Sequence, residues 1–271
     1  MFLIEMLKTI LLGVVEGITE WLPISSTGHM ILVNEFIKNE GTFTASDLYL
    51  YVIQLGAILA VVTVYFKKLN PFSPSKTKAE RLGTWNMWGK VLVACVPAAV
   101  IGLMLDSFME SFENWQVVSG MLIIYGVLFI VIERGKKTFK THDLGEMSYK
   151  TALYIGLFQV LSIIPGTSRS GSTILGAMLV GCTRSLAAEF SFFLAIPVMF
   201  GVSFLKILKY GLLMSVQDAV LLVSGMAVAY IVSLLSIKFL TDYVKKHDFK
   251  FFGWYRIILG IVVVIYFILT R

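Results

Sequence analysis

Glu16 and Glu20 stand four residues apart in a stretch that is otherwise almost wholly apolar from Ile10 to Leu22. On a helix that spacing places both on one face, with Cβ atoms about 5–6 Å apart. Carboxylates at membrane depth are costly, roughly 2.5–3.5 kcal/mol each on insertion scales. Unless a metal ion or an Arg lies between them, such a pair shares a proton. The plain alternative is that both snorkel to the near interface. Ser25, Ser26 and Thr27 follow, and then His29. A hydroxyl becomes a nucleophile when a base stands beside it, and imidazole serves near neutral pH. The plain reading of His29 is an interfacial hydrogen-bonding residue. Far along the chain, Arg169 sits between Ser168 and Ser170, after Pro165-Gly166 and before Gly171 and Thr173. A guanidinium forks onto phosphate oxygens, and glycines with a helix N-terminus, here expected near Ser172, offer backbone N–H groups to an anion. A structural pair between Arg169 and Glu20 is the competing reading. Carboxylates, hydroxyls, imidazole and a flanked Arg together suit phosphoryl transfer, where catalysis is mostly positioning and charge neutralisation. Ser and Thr tracts alone would be weak evidence, since they commonly cap helices.

Holding these groups together requires elements that bring residue 20 to residue 169. Six stretches are long enough to cross about 30 Å of hydrocarbon: Leu48–Phe66, Trp85–Leu105, Trp115–Ile132, Ala187–Leu208, Ala219–Ile237 and Phe251–Leu269. Four further apolar pieces form two pairs, Leu3–Leu22 with Met30–Ile37 and Thr151–Ile164 with Ser172–Cys182. Each pair flanks a polar tract bearing Pro and Gly, which reads as a re-entrant helix–loop–helix hairpin; broken backbone at that depth must be buried or line a wet cavity. Strand-length alternation is absent. The expected fold is all-α and polytopic, with six spanning helices plus two re-entrant hairpins in a single integral-membrane domain, 1–271.

The two halves, about 1–140 and 149–271, look like copies. An offset of 142 places Pro23 on Pro165, Ser26 on Ser168, Asp47 on Glu189 and Lys67 on Lys209. Shifting by one more residue brings Gly13 to Gly156 and Glu16 to Gln159. One hairpin and three crossings per half make the second half enter from the opposite face, an inverted-topology repeat of the kind transporters use. Loops 67–90, 134–150 and 238–256 then share a side, and they hold 16 of the 23 Lys and Arg residues. Loop 106–114 faces the other way with Asp106, Glu110 and Glu113 and no base. The positive-inside rule puts the basic loops in the cytoplasm, both termini outside, and the first hairpin opening outward.

Composition agrees with this plan. The chain is 57% hydrophobic and 15% charged, with mean hydropathy +0.83, against about 45–50% and 25% for a soluble domain. Disorder is excluded. The net charge of +6 reports orientation rather than nucleic-acid binding, and no nucleic-acid partner is expected. Cys95 and Cys182 lie in apolar stretches with no ligand spacing and read as small hydrophobes. The N-terminal stretch is no signal peptide, because it carries Glu16 and Glu20 where an apolar core should be. Gly13-x-x-x-Gly17 permits close helix contact, either within the chain or in a homodimer.

The segment from Glu16 to His29, EGITEWLPISSTGH, and the segment from Pro165 to Thr173, PGTSRSGST, resemble the two signature motifs of the bacterial undecaprenyl-diphosphate phosphatases, the bacitracin-resistance BacA/UppP family. The resemblance extends over essentially the whole chain, including EFSFFLAIP from Glu189 to Pro197. It implies a plasma-membrane enzyme that hydrolyses undecaprenyl diphosphate on the outer face, recycling the lipid carrier of peptidoglycan synthesis and conferring bacitracin resistance, with help from Mg²⁺ or Ca²⁺. Carried over, Ser26, His29, Glu20 and Arg169 are catalytic. Ser25, Thr27, Gly166, Ser168, Ser170 and Thr173 bind the polyprenyl diphosphate, and Glu16 with Glu20 holds the metal. Ser26 attacks phosphorus with His29 or Glu20 taking its proton; the rival is His29 as nucleophile. A flippase for lipid phosphates remains the other class, since inverted repeats with broken helices also build transporters.

Overall fold

The computed structural model describes residues 2–38, 42–110, 112, 114–135, 139–210 and 214–270. Of the acidic loop, Glu113 and the side chains of Asp106 and Glu110 lie outside the described residues, as do Lys136 and Lys137. The described chain is helical, with no strand. Its helices are α1 (Phe2–Thr19), α2 (Ser26–Phe36), α3 (Asp47–Val64), α4 (Phe66–Leu69), α5 (Lys78–Glu110) and α6 (Trp115–Arg134) in the first half. The second half has α7 (Tyr149–Val160), α8 (Arg169–Leu179), α9 (Arg184–Tyr210), α10 (Val216–Lys246) and α11 (Lys250–Thr270).

Six of them, α3, α5, α6, α9, α10 and α11, are long and apolar enough to cross a membrane, so the protein is a multi-pass membrane protein. They coincide with the six expected stretches. The chief difference is length, since α10 runs on through Lys246. Hydropathy marks where a helix leaves lipid, whereas the backbone stays helical until a residue such as His247, extended at φ −128° and ψ 164°, stops it. Side-chain caps set the starts. Ser46 accepts from Tyr49 N, Asn114 from Val117 N and Ser148 from Thr151 N, while Ser215 and Asp218 form a reciprocal capping box, each satisfying an amide left orphaned at a first turn.

Two helix–break–helix units, α1/α2 and α7/α8, stand among these long helices. α1 packs on α10 and α7 on α5; α3 packs on α10 and α9 on α5; α3 meets α9 and α6 meets α11. The face of α1 that bears Gly13 and Gly17 is pressed against α10. A Cβ at Gly13 would lie 2.9 Å from Gly225 O, and one at Gly17 2.8 Å from Ala229 O. The glycine pair is therefore spent within the chain, and a homodimer would have to use another face.

The basic loops gather at one end. Lys90 Nζ donates to Leu144 O at 2.7 Å, Trp88 Nε1 to Leu69 O at 2.8 Å and Lys140 N to Gly181 O at 2.8 Å. Glu133 takes a bidentate pair from Arg184 at 2.9 and 2.7 Å and also accepts from Phe249 N at 3.1 Å. Arg256, counted by sequence among those loop cations, departs from them: it is fully buried, because it shares the inward face of α11 with Gly253 and Gly260.

Candidate active site

Each break ends in a serine that caps the helix after it. Ser25 has φ 73° and its side chain accepts from Gly28 N; Ser168 has φ 75° and accepts from Gly171 N. A positive φ is uncommon for a residue with a Cβ and is maintained only where the surroundings enforce it. By this local geometry Ser25 resembles Ser168, whereas the sequence offset of 142 sets Ser26 against Ser168; Ser26 and Arg169 are each the first residue of the helix that follows. The cap also starts α8 at Arg169 rather than near Ser172. The amides of Thr167, Gly171 and Ser172 are consequently bonded to Ile164 O, Ser168 Oγ and Ser168 O, so three N–H groups of the tract expected to face an anion are used inside it.

Glu20 joins the two units. Its Oε2 accepts from Ser26 Oγ at 3.0 Å, and its Oε1 accepts from Arg169 Nη2 at 3.0 Å. Both ends of this pair are sheltered, with side chains 11% and 9% exposed. Charge-assisted bonds of this kind are the stronger class. Arg169 is steadied by Nη1 bonds to Ser191 O at 2.9 Å and Ser191 Oγ at 3.4 Å, and its Nε is buried with no partner among the described residues. Ser170 Oγ donates to Glu20 O and Leu22 O, and Thr173 Oγ1 lies 2.7 Å from Ser191 Oγ. Ser168 Oγ lies 3.1 Å from Ser170 Oγ. Ser170 thereby ties α8 to the first unit and Thr173 ties it to α9, while Ser168 bonds within α8 itself.

Glu16 and Glu20 do not share one setting. Glu16 is 1% exposed, and its Oε1 has no hydrogen-bond partner among the described residues. It lines a cavity of about 120 Å³ with Ser26, Thr27, Met30, Ile31, Asn34, Asp47, Leu50, Tyr51 and Gln54. Glu20, engaged by Ser26 and Arg169, is not part of that lining. Asp47 lies 3.2 Å from Lys206 Nζ, whose ammonium sits 4.6 Å from the centroid of the Tyr51 ring.

His29 points elsewhere. Its Nδ1 lies 2.7 Å from Ser25 O and its Nε2 2.7 Å from the Tyr255 hydroxyl, the two rings being stacked 5.6 Å apart. Of the two bases expected for Ser26, the hydroxyl meets Glu20. Gly166 adopts φ 86°, and its carbonyl accepts from Arg256.

Several residues of this site were not singled out by sequence. Asp47, Tyr51 and Gln54 fall at i, i+4 and i+7 of α3, and Asn34 falls seven residues after the expected Thr27 on α2. A polar stripe on an apolar helix was the available signal. Ser191 carried none beyond its place in the motif.

Residues 9–262 match the sequence model of a family described as bacitracin resistance protein BacA. The chain is 55% identical over 269 residues to the undecaprenyl-diphosphatase of Enterococcus faecalis, covering 97% of this chain and 98% of that protein. It is 57% identical over 272 residues to the undecaprenyl-diphosphatase of Desulfitobacterium hafniense, covering 98% of each. It is also 56% identical over 276 residues to that of Lactiplantibacillus plantarum, covering 99% and 100%.

Proposed function

The chain belongs to the bacitracin-resistance BacA family, and on that basis we propose that it is a membrane phosphatase converting undecaprenyl diphosphate to undecaprenyl phosphate and inorganic phosphate. The observation that carries this reading is the run Ser26–Glu20–Arg169, a hydroxyl, a carboxylate and a guanidinium joined by 3.0 Å bonds across two chain breaks.

In the reaction Ser26 Oγ attacks the terminal phosphorus and passes its proton to Glu20. The P–O bond to the bridging oxygen breaks, and undecaprenyl phosphate leaves. Water then attacks the phosphoserine, Ser26 recovers its proton and inorganic phosphate departs. Arg169 holds phosphate oxygens, its unpartnered Nε–H being a donor not spent on the protein. Positioning and electrostatic neutralisation supply most of the rate in such transfers.

A divalent cation, Mg²⁺ or Ca²⁺, would be held by Glu16. Glu20, with its two oxygens engaged by Ser26 and Arg169, acts as base and counterion rather than as the second ligand expected from sequence. The buried Glu16 Oε1 without a partner is the kind of hard oxygen donor these ions take. Its contribution when bound is to offset the charge of the diphosphate. Thr27, Asn34 and Gln54 line the space beside it.

The cavity sits where α3 begins, and Lys67 and Lys68 follow where α3 ends. Asp47 to Gln54 spans about 10 Å of helix, so the cavity reaches from one membrane face towards the middle. With the basic loops cytoplasmic, it opens outward and both termini lie outside. The packing of α1 on α10 matched by α7 on α5 supports two inverted repeats with re-entrant hairpins. The same pattern favours lipid-phosphate transport as a second reading, tested by movement of labelled undecaprenyl phosphate in proteoliposomes.

The deciding measurement is phosphate release from a C55 diphosphate by purified wild type and Arg169→Ala, with and without EDTA. Release by the wild type and its loss in the variant are expected. No release by either at any metal concentration would overturn the enzyme reading.

A further inference from the structure

Arg256 is fully buried in α11, yet none of the ion pairs among the described residues includes it. Its two terminal nitrogens donate to backbone carbonyls instead, while Nε is buried without a partner among the described residues. Nη1 donates to Pro23 O at 3.3 Å; Nη2 donates to Gly166 O at 2.9 Å, Thr167 O at 3.0 Å and, more weakly, Met121 O at 3.4 Å. Pro23 belongs to the break between α1 and α2, and Gly166 and Thr167 to the break between α7 and α8. One side chain from a third element thus grips both tips.

The placement is electrostatically unusual. A Cβ at Gly171 would lie 3.3 Å from Arg256 Nη1, so the cation rests against the first turn of α8, whose helix dipole is positive at that end. Burying a charge without a counterion is expensive, and putting a cation at a helix N-terminus adds to the cost. Stability alone would be served better by an apolar residue. What the arrangement does provide is fixed geometry: Ser26 lies three residues after Pro23, and Arg169 lies two after Thr167. The planar fork sets how far apart these two tips stand. Tyr125, whose ring is 5.4 Å from the guanidinium carbon, and the Tyr125–Ser172 bond at 3.2 Å brace it from α6 and α8.

We propose that Arg256 is a positioning residue for the phosphoryl transfer, holding the two breaks in the register that places Ser26 and Arg169 on the two oxygens of Glu20. The inference rests on the proposed phosphatase reading. It does not require Arg256 to touch the substrate.

The test measures phosphate release from a C55 diphosphate, with kcat and KM separated, on detergent-purified wild type, Arg256→Lys, Arg256→Gln and Gly171→Ala, alongside thermal unfolding of each. Lysine keeps the charge but loses the fork, so kcat should fall at least about tenfold with KM within about threefold, since small misplacements act on the chemical step. Glutamine should fall further. A folded Arg256→Lys protein with wild-type kcat overturns the proposal. If neither Arg256 variant folds, Gly171→Ala decides, because its methyl would press on Arg256 Nη1 at 3.3 Å and on the capping Ser168 Cβ at 3.2 Å without removing either: unchanged kcat overturns the proposal, and reduced kcat at unchanged unfolding temperature supports it. Failure of the wild type itself to release phosphate would instead count against the phosphatase reading.

Discussion

The Ser26 hydroxyl donates to Glu20 Oε2 at 3.0 Å, a bond that crosses the break between α1 and α2. The carboxylate's other oxygen takes Arg169 at the same distance, so Glu20 is both the nearest base to the hydroxyl and the counterion that keeps the guanidinium in place. Removing it should therefore cost more than either role alone. For Glu20→Gln we expect kcat to fall by about 10²–10⁴, the usual worth of a positioned general base, measured as phosphate release in detergent. A variant within threefold of the wild type would exclude Glu20 as the base.

Arg169 and Glu20 should also be coupled in stability. Breaking a buried pair from one side leaves an uncompensated charge and costs roughly 3–5 kcal/mol, whereas removing both partners costs less. Arg169→Met should lower the unfolding temperature clearly, and Arg169→Met with Glu20→Gln should recover part of it while remaining inactive. Additive losses in the double variant would show that the two groups do not interact.

The covalent intermediate distinguishes the two candidate nucleophiles. Both ring nitrogens of His29 are engaged, by Ser25 O and the Tyr255 hydroxyl, whereas Ser26 lines the cavity and its hydroxyl meets a carboxylate base. A trapped phosphoenzyme should accordingly be stable in acid, labile in base and absent in Ser26→Ala. An acid-labile, base-stable adduct would transfer the role to His29.

Glu16 offers a test of cation binding that does not depend on turnover. With Glu16 Oε1 buried and unpartnered, a hard cation gains a ligand there and loses it in Glu16→Gln. We expect the Tb³⁺ concentration that gives half-maximal luminescence to rise by about tenfold in the variant, in line with one lost carboxylate ligand. Identical Tb³⁺ titrations would place the ion elsewhere.

Gly166 shows how tightly the second break is held. At φ 86° a Cβ would lie 2.6 Å from Val118 O, so alanine is penalised by backbone strain and by a contact with main chain that cannot swing away. Strain of this kind costs about 1–3 kcal/mol. Gly166→Ala should lower both the unfolding temperature and kcat, and a variant matching wild type in both would show that the α7/α8 break adapts freely.

Much of the architecture is readable from residue types alone. Spans need about 20 apolar residues because lipid offers no partners to backbone or charge, so the six long helices follow from hydropathy. The two breaks follow from Pro23-Ile24-Ser25 and Pro165-Gly166-Thr167 in otherwise apolar surroundings, and the misplaced charges at Glu16, Glu20 and Arg169 point to a site before any contact is known. What such patterns do not carry is rotation and register. Ser26 and His29 are three residues apart on one helix, and only the packing of α2 decides that one meets Glu20 while the other stacks on Tyr255. The caps at Ser25 and Ser168, both at positive φ, start the two helices at Ser26 and Arg169, three to four residues before the expected starts at Met30 and near Ser172, because caps are chosen by local hydrogen bonding rather than by hydropathy. Arg256 reads as one more basic residue at a helix end, and its grip on Pro23, Gly166 and Thr167 exists only once three distant elements meet. Partition into lipid is a property each segment has by itself. The hydrogen bonds of the site belong to pairs of segments, and are settled only when those segments pack.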